Sequence, residues 1–282
     1  MNINLAIVER AKAGEALTAA ELDELASADV LSLGMLADEV RRARVGDTVT
    51  YTQDAESRLT TLPDTLAGAT ARVREAKASA GTVVGYSLAD VIDRNWGPLT
   101  EVLKQLKSAG LDAIAEAPVD RIADIATALR AAQDAGVAVR CLSLQKPIAG
   151  ERTDFLLTLR SILEQFPAID TVAPLPREQS IAVPTTGYDD VRAVALVRLA
   201  LPSLRNIQVD WAQYGPKLAQ VALTFGANDL DRVSTIDDAS LGRRRTSVED
   251  VRRNIAAAGF TAIERSFDSG RGEPPALRSG LT

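Results

Sequence analysis

Residues 121–142 read Arg121-Ile122-Ala123-Asp124-Ile125-Ala126-Thr127-Ala128-Leu129-Arg130-Ala131-Ala132-Gln133-Asp134-Ala135-Gly136-Val137-Ala138-Val139-Arg140-Cys141-Leu142. The stretch predicts a helix over 121–135, stopped at Gly136, then an apolar strand over 137–142. The same alternation runs outward in both directions. Strands are expected over 48–52, 82–86, 111–115, 169–173, 206–211, around Leu230 and over 260–264. Helices are expected over 66–78, 98–108, 152–166, 189–201, 216–225 and 247–258. Short continuous apolar strands separated by helices predict a parallel sheet buried on both faces. About seven strand–helix units suit an α/β fold of the TIM type, a partial parallel β/α barrel. No GxGxxG or P-loop pattern favours an open nucleotide-binding sheet.

Ahead of the barrel, Thr18-Ala19-Ala20-Glu21 is a capping-box pattern that starts a short helix through residue 26. A second helix over 30–44 carries Leu33, Leu36, Ala37 and Val40 on one face and ends before Gly46-Asp47. The expected organisation is an N-terminal helical segment over 1–47, a barrel over 48–266 and a flexible tail over 267–282.

Composition excludes several chemistries. The chain has 282 residues, 46% of them hydrophobic, enough for one large core. The net charge is −6 with no basic stripe, so nucleic acid is not an expected partner. The run Arg243-Arg244-Arg245 reads as a solvated loop. There is no histidine and one cysteine, Cys141, which excludes His/Cys zinc or haem sites and His-based triads. Acid–base work would fall to Asp, Glu, Lys, Tyr or Cys. No segment approaches the roughly 18 apolar residues of a membrane span. With no signal-peptide pattern at the start, a cytoplasmic location is expected.

Two regions carry a family resemblance. One is Pro184-Thr185-Thr186-Gly187-Tyr188, Gly215-Pro216-Lys217-Leu218-Ala219-Gln220 and Phe225-Gly226-Ala227-Asn228-Asp229. The other is Leu33-Gly34-Met35-Leu36-Ala37, Arg41-Arg42-Ala43-Arg44 and Val49-Thr50-Tyr51. Together they resemble the radical-SAM enzymes of the futalosine route to menaquinone, aminofutalosine synthase and dehypoxanthinyl futalosine cyclase, and the related deazaflavin-cofactor synthases. The resemblance implies a CxxxCxxC loop soon after the Val-Thr-Tyr strand. Here Tyr51 is followed by Thr52-Gln53-Asp54-Ala55-Glu56-Ser57-Arg58, without cysteine. It further implies that about one βα unit is missing between Tyr51 and Thr82, because a βαβ unit needs about thirty residues. The family's glycine-rich approach to the SAM methionine corresponds to Ala115-Glu116-Ala117-Pro118, which counts against SAM. Neither an iron–sulfur cluster, a metal nor another cofactor is expected.

In barrels, functional groups sit at the C-terminal ends of strands. That rule selects Glu116, Asp210, Asp229 and Lys146 as candidate acid–base groups. Candidate ligand contacts are Tyr86, Ser87, Ser143, Gln145, Arg177, Thr186, Gly187, Gln213 and Asn228, with Asp231 nearby. Cys141 reads as a buried inert thiol. Two functions compete. One is a pseudoenzyme that binds a pathway intermediate or the active synthase, with a homo-oligomer as a further association. The other is a cluster-free enzyme acting on a nucleoside-like small molecule at the barrel mouth.

Overall fold

A computed structural model of the chain describes residues 3–53, 58–147, 152–178, 185–233 and 248–265. The expected helical start is present and longer than predicted. Helix α1 (Leu5–Ala13) precedes α2 (Ala19–Ser27) and α3 (Val30–Val45). The sequence reading missed α1, whose cap is Asn4 accepting from the Ala6 amide at 3.0 Å. The Thr18/Glu21 capping box forms as predicted on α2. On α3 the face of Leu33, Leu36, Ala37 and Val40 is buried, and the helix packs on the later helix Gly187–Ala200.

The barrel strands are β1 (Thr48–Gln53), β2 (Arg58–Leu59), β3 (Val84–Ser87), β4 (Ala113–Pro118), β5 (Ala138–Val139), β6 (Leu142–Leu144), β7 (Thr171–Pro176), β8 (Asn206–Asp210), β9 (Asp229–Val233) and β10 (Thr261–Glu264). Every described pairing is parallel. The outer helices are α4 (Leu66–Ser79), α5 (Leu88–Asp93), α6 (Leu99–Ala109), α7 (Ile125–Asp134), α8 (Arg152–Gln165), α9 (Gly187–Ala200), α10 (Trp211–Leu223) and α11 (Val248–Ala257).

Two details differ from the periodicity. The run 137–142 is two strands, because the chain crosses from one partner level of β4 to a higher one. β5 pairs at Ala113 and Ile114, and β6 pairs at Ala117 and Pro118. Helix α10 begins five residues early and kinks at Gly215, where φ is +71° ahead of Pro216.

The strand order is β10-β1-β9-β8-β7-β6-β4-β3-β2. Strand β1 therefore lies between the last two strands, and among the described residues β2 pairs with β3 alone. Between β1 and α4 only the two-residue β2 is described, where the resemblance implied a deletion. The sheet still curls: Arg58 on one edge strand and Arg265, just past the other, line the same interior cavity. Residues 267–282, expected as a tail, lie outside the described residues, as does the run 243–245.

Candidate functional site

The inside of the curl is built from charge. Period-2 alternation turns every second strand residue inward. On β8 and β9 this places Gln208, Asp210, Asp229 and Asp231 on the interior, all nearly fully buried. Buried carboxylates need partners, and arginines supply them. Arg58 of β2 donates from both terminal nitrogens to Asp231, each at 2.8 Å. Arg177, directly after β7, donates to Glu116 at 2.8 Å, Asp210 at 3.3 Å and Gln208 at 3.4 Å. Arg232 adds a second contact to Asp210 at 3.3 Å. Arg265 reaches Asp229 at 2.7 Å, and Asp229 also accepts from Thr50 at 2.5 Å and Gln208 at 2.8 Å.

The electrostatics follow from these contacts. Burial by itself would raise the Asp231 carboxyl, but the Arg58 fork and Arg177 hold it down at about 2. Burial raises Asp229, and Arg265, Thr50 and Gln208 offset this only in part. Burial disfavours the charge on Arg177, yet Glu116 and Asp210 raise its pKa. Two residues hold left-handed backbone here, Tyr86 (φ +60°) and Arg232 (φ +56°). Such a conformation is strained for a large side chain.

The candidate acid–base groups separate accordingly. Glu116, Asp210 and Asp229 converge on the interior, and all three are ion-paired. Asp210 also caps α10 through the Gln213 amide at 2.9 Å. Lys146 is exposed, and its backbone amide donates to Asp120 at 2.8 Å.

Among the candidate ligand contacts, Arg177 joins this network through its side chain and Gln213 through its backbone amide. Tyr86 is buried, its hydroxyl pushed up to about 12 by burial and donating to the Ala69 carbonyl at 3.4 Å. Ser87 and Ser143 bury hydroxyls that have no hydrogen-bond partner among the described residues. Gln145 donates to Glu178 at 2.9 Å. Gln213 ties down the chain after β7 by donating to the Pro176 and Arg177 carbonyls at 2.9 and 3.1 Å. Thr186 caps α9 in a capping box with Asp189, and Gly187 is the first helical residue. The Thr186 and Asp189 amides donate to side-chain acceptors within this cap.

Asn228 also moves. It precedes β9, so it stands at the N-terminal end of the barrel and not at the mouth. There it accepts from Arg198 at 2.7 Å and from the Ile207 amide at 2.9 Å.

Sequence reasoning missed Arg58, Arg232, Arg265 and Gln208. No local sequence signal marks these residues, because their partners lie far away along the chain.

The residues do not fit the cluster that the resemblance implies. A [4Fe–4S] cluster is held by Cys thiolates, and the chain has Cys141 alone. That thiol is buried, pushed up to about 12 by burial, and donates to the Leu142 carbonyl at 3.2 Å. The interior cavity is about 50 Å³. Small-molecule sites run to roughly 300–1,000 Å³. Among the described residues no group of three or more His, Cys, Asp or Glu is arranged to hold a metal.

The family model described as "CofH/MqnC C-terminal region" matches residues 162–270. This part of the chain is thus similar to the C-terminal region of CofH/MqnC proteins. The chain is 30% identical over 200 residues to 5-amino-6-(D-ribitylamino)uracil--L-tyrosine 4-hydroxyphenyl transferase 2 of Methanosarcina barkeri, covering 58% of this chain and 52% of that one. It is 34% identical over 160 residues to the aminodeoxyfutalosine synthase of Thermus thermophilus, covering 48% and 43%. The chain thus spans about half the length of the curated relatives it matches.

Among solved structures, methylornithine synthase superposes with a TM-score of 0.68 at 15% identity, covering 91% of this chain and 97% of that one. A maturase of the [FeFe]-hydrogenase gives 0.62 at 14%, covering 92% and 75%. These two likenesses establish the partial parallel barrel. No described helix is long and apolar enough to cross a membrane.

Proposed function

We propose that this chain is a non-catalytic relative of the CofH/MqnC enzymes that acts by binding the active synthase of its pathway. One observation carries the reading: the interior carboxylates are consumed by arginines. A general acid or base must exchange a proton with substrate. Glu116, Asp210 and Asp229 instead hold buried guanidinium groups in place. The interior cavity lined by Arg58, Gln208, Asp231 and Arg265 is about 50 Å³, too small for a nucleoside.

The outside supports association. Leu31 and Met35 stand one turn apart on α3 and are 65% and 75% exposed, with Leu5 of α1 72% exposed. Strand β10 is a short, poorly covered edge. The test is co-elution of the purified chain with an active aminodeoxyfutalosine synthase, beside a thermal-shift screen with SAM and pathway nucleosides. Co-elution without a nucleoside shift is the expected result. A SAM shift, or no association with the synthase, sinks the proposal.

A cluster-free enzyme is the second reading, favoured by the raised Asp229 carboxyl at the barrel centre. It requires that turnover of a nucleoside-like substrate be abolished in Asp229→Asn while the fold survives.

A further inference from the structure

Strand β10 is held to the barrel differently from its neighbours. Each of the other described strands carries at least one buried residue. On β10, Thr261 and Glu264 are exposed and Ala262 and Ile263 only half-buried. Buried apolar surface is what makes an element costly to lift away, and β10 has little of it. It is also an edge: among the described residues its ladder runs to β1 alone, from Thr48 opposite Thr261 to Tyr51 opposite Glu264.

The two ends of the strand have different fastenings. At the base, Phe260 is buried, with the Arg41 and Arg42 guanidiniums 4.0 and 4.4 Å from its ring centre, and α11 just ahead buries Val251 and Ile255. At the mouth the fastenings are polar. The Tyr51 hydroxyl and Gln53 Nε2 donate to Glu264 at 3.1 and 2.8 Å, and Arg265 donates to Asp229 at 2.7 Å. Hydrogen bonds that water can replace contribute little net stability, whereas packing has no substitute in water.

The mouth end also covers something. Strands β10 and β2 are the two ends of the strand order and do not pair with each other among the described residues. From just past β10, Arg265 reaches beyond β1 to Asp229 on β9. There it lines the interior cavity together with Thr52, Arg58 and Cys141. Its side chain is thus part of the wall at the break in the sheet.

We infer that β10 and Arg265 form a strap over the barrel interior, which pivots at Gly259-Phe260 and releases from its mouth end while the rest of the barrel stays folded. Gly259, at φ +83°, supplies the pivot ahead of the anchored ring. Release joins the 50 Å³ cavity to solvent and uncovers Asp229, which Arg265 otherwise occupies from within the same chain. The strap controls the interior and goes beyond the outer-face association proposed above.

Cys141, the chain's one cysteine, lines that cavity and reports on the strap. The experiment measures its rate of modification by N-ethylmaleimide in the native protein over increasing urea. Opening of the strap exposes little surface, so the rate is expected to be flat at low urea and to steepen only where global unfolding takes over. Arg265→Met is expected to raise the low-urea rate about tenfold or more, the effect of one lost charged hydrogen bond. Glu75→Ala, in a pair on an outer helix, should leave it unchanged. Hydrogen exchange of the unaltered protein keeps the inference testable if Arg265→Met unfolds. The Arg265 amide, which donates to the Tyr51 carbonyl at 2.9 Å, should exchange through the same urea-insensitive opening. The Ile207 amide on β8 should exchange only through global unfolding. The inference is overturned if Cys141 or the Arg265 amide follows the urea dependence of global unfolding, or if a folded Arg265→Met labels no faster.

Discussion

The barrel buries arginines at two levels, and the two levels treat them in opposite ways. In the interior, Arg58, Arg177 and Arg265 meet carboxylates. At the base, Arg198 meets none in the described contacts. It donates to the Gly226 carbonyl at 2.9 Å, to Leu204 and Arg205 at 3.2 and 3.3 Å, and to Asn228. Its neighbour Arg41 stacks 4.0 Å from the centre of the Phe260 ring, and Arg44 donates to the Arg198 and Leu201 carbonyls. Burial first, then Arg44 and Arg41, lower the Arg198 pKa, whereas facing carboxylates raise that of Arg177. The basal arginines work as multivalent donors that tie loop carbonyls together. The interior arginines work as counter-ions. A counter-ion is indispensable only while its partner is charged, which makes the difference measurable.

The largest effect should come from breaking one interior pair. Asp231→Ala removes the carboxylate that both Arg58 terminal nitrogens bind, and should cost about 3–5 kcal/mol in urea unfolding. Replacing both, Arg58→Leu with Asp231→Leu, should recover most of that loss. If the double variant is as unstable as the single one, the pair is not acting as a pair.

Next comes pH. Asp231 sits at about 2 in the folded protein, below its ordinary value of about 3.9. Its contribution is therefore full above about pH 4 and disappears as pH falls towards 2, a change of about 2–3 kcal/mol. Asp229 carries the opposite sign: its raised pKa gives stability at low pH that is lost as pH rises through the folded value. Unfolding curves between pH 5 and 2 should be shallower for Asp231→Asn than for the unaltered chain.

At the base, Arg198→Met removes donors from three carbonyls and from Asn228 while relieving a buried charge. The expected net loss is about 1–3 kcal/mol, with no added acid sensitivity. Gly226→Ala attacks the same corner through shape. Gly226 has φ +108°, and an added Cβ would meet the Arg198 Cβ at 2.9 Å. A loss of about 1–2 kcal/mol is expected by denaturant titration. The smallest effect belongs to the solvent-exposed Arg72–Glu75 pair, whose side chains are 60% and 68% exposed. Glu75→Ala should leave Tm unchanged.

Legibility in the sequence follows the same division. The strand–helix alternation was readable because each strand is short, apolar and punctuated, and Gly136 stops its helix in left-handed backbone as expected. Helix α1 was missed because its apolar spacing is weak and Asn4 is its main boundary signal. The candidate carboxylates were legible as strand-end residues. Their arginine partners were not, since Arg58–Asp231 spans 173 residues and Arg177–Glu116 spans 61. Nothing local distinguishes those arginines from surface ones. Asn228 was misplaced because a strand's start and end look alike when the strand is five residues long.

The insertion of β1 between β9 and β10 has a consequence for how the chain is made. Thr50 finds Asp229 across 179 residues. Synthesis at roughly 5–20 residues per second leaves β1 waiting on the order of ten to forty seconds for its neighbours. Throughout that interval its backbone edge is open and its apolar side chains, Val49 and Tyr51, are uncovered. The first strand of the barrel is thus among the last whose partners are synthesised.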